Sequence, residues 1–258
     1  MIEIRGVHKE FAKGERRVVA LQDIDLTVAE REFVAILGPS GCGKSTLLNM
    51  VAGFDLPTRG SVKVAGETII APAPSRGVVF QEPALFPWLT VMDNVVFGPK
   101  TVGQRAADYR ARAAQIIEAV GLSGFEASYP AELSGGMRQR VGIARVLIME
   151  PKVLLMDEPF GSLDAQTRTL MQELLLALWE RHHQTVLFIT HDIEEAVLLA
   201  DRVCVMTARP GRIKKSIEVR MPRPRSIELT TSPEFNALRR EVLELIRQES
   251  LRAAMERV

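Results

Sequence analysis

The sequence predicts an α/β fold: a mostly parallel sheet flanked by helices, with an N-terminal antiparallel β part and an inserted helical subdomain. Three observations predict it. Short continuous apolar runs recur at residues 33–37, 77–80, 153–156, 186–189 and 203–206, the pattern of strands buried on both faces. Helical periodicity separates most of these runs, and alternating strands and helices imply parallel pairing through right-handed crossovers. Residues 82–146, by contrast, carry helical patterns and no convincing strand.

Taken in order, Ile2 and Ile4 alternate with polar neighbours, as do Ile24, Leu26 and Val28, so the first thirty residues read as strands. The run 33–37 ends in a Gly-rich turn, and 44–52 reads as a helix stopped by Gly53. Helices are expected at 91–97, 105–120 and 136–148 in the insertion. Beyond it come a strand at 153–156, a helix at 165–181, a strand at 186–189, a helix at 193–200 and a strand at 203–206. The last segment, 233–258, places Phe235, Leu238, Val242, Leu245 and Ile246 on one helical face. The expected organisation is a core formed by 1–82 and 150–208, a helical subdomain at 83–149, and a basic connector plus helix at 209–258.

Composition bounds the class. Of 258 residues, 47% are hydrophobic and 25% charged, with mean hydropathy +0.06 and net charge +1; disordered chains are poorer in apolar residues. No stretch approaches the roughly 20 apolar residues of a spanning helix, and the N-terminal residues lack the apolar core of a secretory signal. Two cysteines, Cys42 and Cys204, make no disulfide framework. The expectation is a soluble protein of a reducing, intracellular compartment. The near-neutral total hides a basic stretch at 209–225, with seven Lys or Arg against one Glu. With Pro210, Pro222 and Pro224 interrupting it, this stretch reads as a solvated connector.

The chemistry begins at Gly38-Pro39-Ser40-Gly41-Cys42-Gly43-Lys44-Ser45-Thr46, which fits G-x-x-x-x-G-K-[ST] directly after a buried strand and at a helix start. Glycines let successive N–H groups face phosphate oxygens, and the helix N-terminus adds about half a positive charge. Lys44 is expected to reach the β- and γ-phosphates, and the Ser45 hydroxyl to coordinate Mg²⁺. The strand 153–156 runs into Asp157 and Glu158, which puts Asp157 at the carboxyl edge of the sheet as a Mg²⁺ ligand and Glu158 beside it as a base for water. These features define a P-loop NTPase core and leave kinase, GTPase and ATPase open.

What separates those classes is Leu133-Ser134-Gly135-Gly136-Met137-Arg138-Gln139-Arg140, a Ser-capped, Gly-rich helix start 23 residues before Asp157. With this motif the chain resembles the nucleotide-binding subunit of ATP-binding-cassette (ABC) transporters over about residues 1–210. The resemblance implies that Ser134, Gly135 and Gly136 contact the γ-phosphate held by the other subunit of a head-to-tail dimer. It implies further roles one residue at a time: Gln81 near Mg²⁺ and the lytic water, His191 on the γ-phosphate, Asp164 in a loop crossing the dimer interface, and Phe11 stacked on adenine. Met137 stands where many relatives have Gln, and Ser162 where Ala is frequent; neither change removes a ligand.

The resemblance implies an ATPase that uses ATP and Mg²⁺, pairs with a second copy of itself, and works at the cytoplasmic face of the plasma membrane. Its partners there are an integral membrane permease and an extracytoplasmic solute-binding protein. The wording around the motifs is similar to the nitrate/sulfonate/taurine importer group. Within the segment Glu82-Pro-Ala-Leu-Phe-Pro-Trp-Leu, Phe86 and Trp88 are either a small local core or the permease contact. An exporter cassette and an ABC ATPase acting on nucleic acid are the alternatives. The latter carry long insertions or two cassettes, whereas only 53 positions separate Gln81 from Ser134 here and the phosphate loop occurs once, so no nucleic acid partner is expected. Cys42 is expected as a small filler. His182 and His183, adjacent on a helix, do not face one ligand, so no metal is assigned to them.

Overall fold

A computed structural model describes residues 1–14 and 16–255. The chain forms two compact units, Met1–Ala73 with His183–Val258, and Pro74–His182.

The first unit holds two sheets. In the smaller, β1 (Ile2–Lys13) pairs antiparallel with β2 (Arg16–Val28) and with β4 (Arg59–Val64), and the short β5 (Glu67–Thr68) extends β4. Ile2 faces both Val28 and Val64 across the ladders, and Ile2, Ile4 and Val7 are fully buried. Alternation in β1 therefore reports one buried face. The second group centres on β3 (Phe33–Leu37), flanked in parallel by β8 (Thr185–Ile189) and β9 (Arg202–Met206). All five residues of β3 and of β8 are buried, which is why their sequences run apolar without alternation. Helix α1 (Lys44–Ala52) follows β3 and ends as expected, with Gly53 at φ 87°. Helix α7 (Ile193–Leu199) follows β8, and α8 (Pro233–Met255) closes the described chain. The expected end of that last helix, 256–258, lies outside the described residues.

The second unit contains the parallel pair β6 (Arg76–Val79) and β7 (Val153–Asp157), in register from Arg76↔Val153 to Val79↔Met156. Around it stand α2 (Val91–Val95), α3 (Phe97–Thr101), α4 (Ala106–Ala119), α5 (Gly135–Leu147) and α6 (Ala165–His182). The segment expected as one helix at 91–97 is two. Pro99 has no N–H for the Val95 carbonyl and its ring crowds that oxygen, so α2 stops at Val95 and α3 starts anew at Phe97. On α4, Tyr109, Ala113 and Ile117 form the buried stripe. His183 lies beyond α6, at φ 46°.

The basic stretch is not a solvated connector. Ile213–Glu218 forms β10, an antiparallel edge strand on β9. Its lysines and Glu218 on an outer edge are a usual device against further pairing. Arg225 is 6% exposed, and its guanidinium donates to the carbonyls of Leu198 (3.1 Å) and Ala200 (2.7 Å) at the end of α7, and to Val219 (3.2 Å). Arg223 donates to Leu199 O (2.7 Å) and to Asp201 (2.9 Å). These cations sit where a helix leaves its last carbonyls unpaired. Two of the seven basic side chains of the stretch are thus placed at one helix end. Among the described residues no helix is long and apolar enough to cross a membrane.

Candidate functional site

The residues singled out in the sequence divide between the two units, and in each unit several of them lie at the carboxyl ends of parallel strands. In the first unit, β3 runs straight into the phosphate loop 38–43. Gly43 takes φ 101° at the start of α1, where no side chain caps the helix. A Cβ there would lie 2.6 Å from Leu21 Cδ2 and 3.1 Å from Ala20 O, so this glycine is required both by conformation and by the close approach of β2. Lys44 is buried, and its ammonium donates to Gly38 O (3.0 Å) and Pro39 O (3.4 Å), folded over its own loop. Ser40, Gly41 and Ser45 are exposed on the same loop. Cys42 is 1% exposed; burial pushes its thiol up, against the pull of Lys44. That is a small filler under the loop, and a protonated one.

His191 belongs to the same unit and the same edge. Ile189, the last residue of β8, is level with Ile36 of β3, and Thr190 N–H reaches back to Ile36 O at 3.3 Å. The imidazole-bearing residue is exposed, but its backbone is pinned on both sides. Buried Thr190 donates its hydroxyl to Glu195 (2.6 Å) and accepts the Asp192 N–H (2.9 Å). Asp192 in turn caps α7, accepting from Glu194 N (2.8 Å) and Glu195 N (3.2 Å). Phe11 lies on β1, 45% exposed, with Lys9 Nζ 4.9 Å from the ring centroid. A half-exposed phenyl ring is not a core residue, and a planar group can stack on it.

In the second unit the pairing of Val79 with Met156 brings Gln81, two residues past β6, to the edge where β7 ends in Asp157. Glu158 follows at φ 46°, leaving the extended line of the strand. Asp157 and Glu158 are half-buried, Gln81 exposed. The signature helix α5 begins at Gly135, and Ser134 caps it, its hydroxyl accepting the Met137 N–H at 3.3 Å. Gln139, buried on the first turns of α5, donates to Phe80 O at 3.2 Å. That bond ties the signature helix to the residue before Gln81. Gly136 has Thr167 of α6 against its Cα. Asp164 caps α6 by accepting from Thr167 N (3.0 Å), and this hydrogen bond holds its carboxyl below the usual range.

The loop carrying Phe86 and Trp88 is rigidly organised. Fully buried Asn94 accepts the Phe86 N–H (2.9 Å) and donates to the carbonyls of Phe86, Leu89 and Thr90 at 3.0–3.1 Å. Arg145 donates to Pro83 O (2.7 Å) and Ala84 O (2.9 Å). Phe86 packs 4.4 Å from Phe97, centroid to centroid, whereas Trp88 is 70% exposed. Phe86, Phe97, Arg145 and Met149 line a cleft of about 400 Å³.

Sequence reasoning did not find the residues that brace the phosphate loop from behind. Arg209 donates Nε (3.1 Å) and Nη2 (3.0 Å) to Gly41 O, and Gly211 bonds in both directions to β2, through Ala20 O and Gln22 N at 2.9 Å each. A Cβ on Gly211 would run into Cys42 O. Arg209 lies 168 positions from Gly41, a separation at which no local pattern links two residues.

A phosphate loop on a buried parallel strand, and an acid-ended strand beside a Ser-capped signature helix, define a nucleotide-binding cassette. The chain belongs to the ABC transporter family, which it matches over residues 21–161. It is 46% identical over 243 residues to the aliphatic sulfonates import ATP-binding protein of Bacillus cereus, covering 94% of each chain. It is 44% identical over 252 residues to the nitrate import ATP-binding protein of Synechocystis sp., covering 95% of each. It also resembles, at TM-score 0.75 and 32% identity, a dimeric ATP-binding cassette in a post-hydrolysis state bound to ADP and Pi, over 86% of this chain and 100% of that one. The chain is an ABC ATPase.

Proposed function

We propose that this chain is the ATP-hydrolysing subunit of an ABC importer, and that two copies sandwich two ATP molecules head to tail beneath a membrane permease. The observation that carries the reading is the sorting of the candidate residues. Each unit delivers its own set to one carboxyl edge: phosphate loop and His191 in one, Gln81, Asp157 and Glu158 in the other. Ligands of α/β sheets bind at such edges.

Lys44, the exposed backbone of Ser40 and Gly41, and the amides opening α1 bind the phosphates. Phe11 stacks on the adenine. The oxygens of Ser45, Gln81 and Asp157 are the hard donors Mg²⁺ prefers, so these residues fit the ion; when bound it neutralises charge on the β- and γ-phosphates. Glu158 accepts a proton from the water that attacks the γ-phosphate in line. Lys44 and His191, with Ser134 and the Gly136 amide from the second copy, stabilise the developing charge. Asp164 lies where the two copies meet.

The cleft lined by Phe86, Phe97, Arg145 and Met149, with exposed Trp88 in tilted contact with Phe86 at 5.7 Å, suits an apolar helix of a permease. That contact holds the chain peripherally at the cytoplasmic face, and an extracytoplasmic binding protein supplies the solute. The likeness to sulfonate and nitrate import proteins supports small oxyanions or sulfonates as cargo.

Head-to-tail action is tested by specific activity against protein concentration. Phosphate release per chain rises with concentration if the signature acts in trans. A flat profile from an established monomer sinks the sandwich, and a phosphorylated acceptor in place of free phosphate sinks the hydrolase.

A further inference from the structure

The C-terminal segment touches the nucleotide-binding loop, and it does so through a tight turn at residues 207–212. Thr207 N–H bonds to Arg212 O (2.9 Å) and its hydroxyl accepts from Arg212 N (3.0 Å), closing the turn. Three ties fix it in space. Gly211 bridges to β2 at Leu21. Ala208 N–H donates to Glu249 Oε2 of α8 at 2.9 Å. Arg209 donates twice to Gly41 O.

Glu249 is 3% exposed, and its other oxygen accepts from Lys214 of β10 at 2.7 Å. A buried carboxylate with an ammonium on one oxygen and an amide on the other has little freedom. It therefore fixes Ala208, and with it the backbone from which Arg209 extends.

The consequence for the loop is specific to one peptide. The Gly41 carbonyl accepts from Arg209, while the N–H of the same peptide, on Cys42, donates to Pro39 O at 3.3 Å. The plane of peptide 41–42 is thereby held from both sides. Gly41 sits at φ 76°, where a glycine peptide turns over at small cost. Turning it over would break both bonds and interchange the directions of a carbonyl and an N–H within a loop whose N–H groups meet phosphate. A guanidinium held against that carbonyl opposes the change, and it also places a positive charge beside an anion site.

We infer that Arg209 is a positioning residue of the phosphate loop, and that Glu249 of the C-terminal helix holds it in place. This rests on the reading of 38–46 as the nucleotide site. It assigns a task to the first residue of the basic stretch and couples α8 to nucleotide affinity.

The test uses the full chain with Arg209→Gln, Arg209→Lys and Glu249→Gln, measuring equilibrium MgATP binding, KM and kcat, and nucleotide-free thermal unfolding. Arg209→Gln raises the dissociation constant about tenfold, the usual worth of a charge-assisted hydrogen bond, with the larger part of the loss in KM. Arg209→Lys keeps a charge and a donor and recovers to within about threefold, and Glu249→Gln weakens binding about two- to threefold. Unchanged affinity in Arg209→Gln overturns the inference, as does a lowered unfolding temperature with affinity intact. Should Arg209→Gln not fold, Glu249→Gln decides by the same affinity criterion. A wild-type chain that failed to bind MgATP would instead sink the nucleotide-site reading, which separates the two failures.

Discussion

The two Gly-rich helix starts of this molecule look alike in sequence and are held differently in space. At α1 no side chain caps the helix, Gly43 is forced to φ 101° against Leu21, and Arg209 and Gly211 brace the loop from behind. At α5 the Ser134 hydroxyl caps an ordinary start, Ser134 and Gly135 are exposed, and a Cβ on Gly135 would meet nothing closer than 3.9 Å. The first is built inside its own unit; the second presents an open face. The difference is that between a loop closed in by its own unit and a helix start that leaves Ser134 and Gly135 on the surface.

The same contrast separates binding from chemistry, and Glu158→Gln tests it most severely. Turnover falls by about 10²–10⁴, the usual cost of a lost general base, while MgATP binding to the loop of the other unit persists. Steady-state phosphate release and equilibrium binding measured together check this; a loss below tenfold removes Glu158 as the base. A matched pair of glycine substitutions comes next. Gly43→Ala costs at least about 2 kcal/mol of stability, from positive φ and the clash with Leu21, whereas Gly135→Ala stays within about 0.5 kcal/mol. Urea unfolding of both variants measures the gap, and equal costs erase the distinction between the two starts. Ser134→Ala removes the cap of α5 at about 1 kcal/mol; slower turnover with unchanged ATP affinity of the monomer then locates its role in the second copy's site.

The smallest effect concerns the buttress. Burial raises the Glu249 carboxyl, but Lys214 and the Ala208 N–H outweigh it and hold it below the ordinary value. A carboxyl depressed by folding stabilises fully above its unfolded value, and that contribution is lost as pH falls through the folded one. Glu249→Gln therefore flattens the acid limb of stability against pH by under about 1 kcal/mol. An unaltered acid limb would show that α8 is not anchored through this carboxylate.

Local chemistry made much of this legible. Helix α1 is bounded by Gly43 and Gly53, both at positive φ, so its ends were written in the chain. The buried strands β3, β7 and β8 announced themselves by unbroken apolar runs, and the phosphate loop and signature by spacing. Elsewhere local chemistry was silent. β10 reads Ile-Lys-Lys-Ser-Ile-Glu, too charged to stand out, and is a strand because β9 offers it an edge. β4 hides its alternation of Val62 and Val64 among Arg59, Gly60 and Lys63.

What the sequence by itself determined was the inventory: the elements with strong periodicity, and the side chains able to bind phosphate, hold a divalent cation and move a proton. Only the tertiary structure decided what the basic stretch does. Arg223 and Arg225 serve the carbonyls that end α7 and Arg209 the Gly41 carbonyl, contacts reaching across 24 to 168 positions of chain. Hydrogen bonds over such separations depend on where two backbones meet in space, and no pattern along the chain records that meeting.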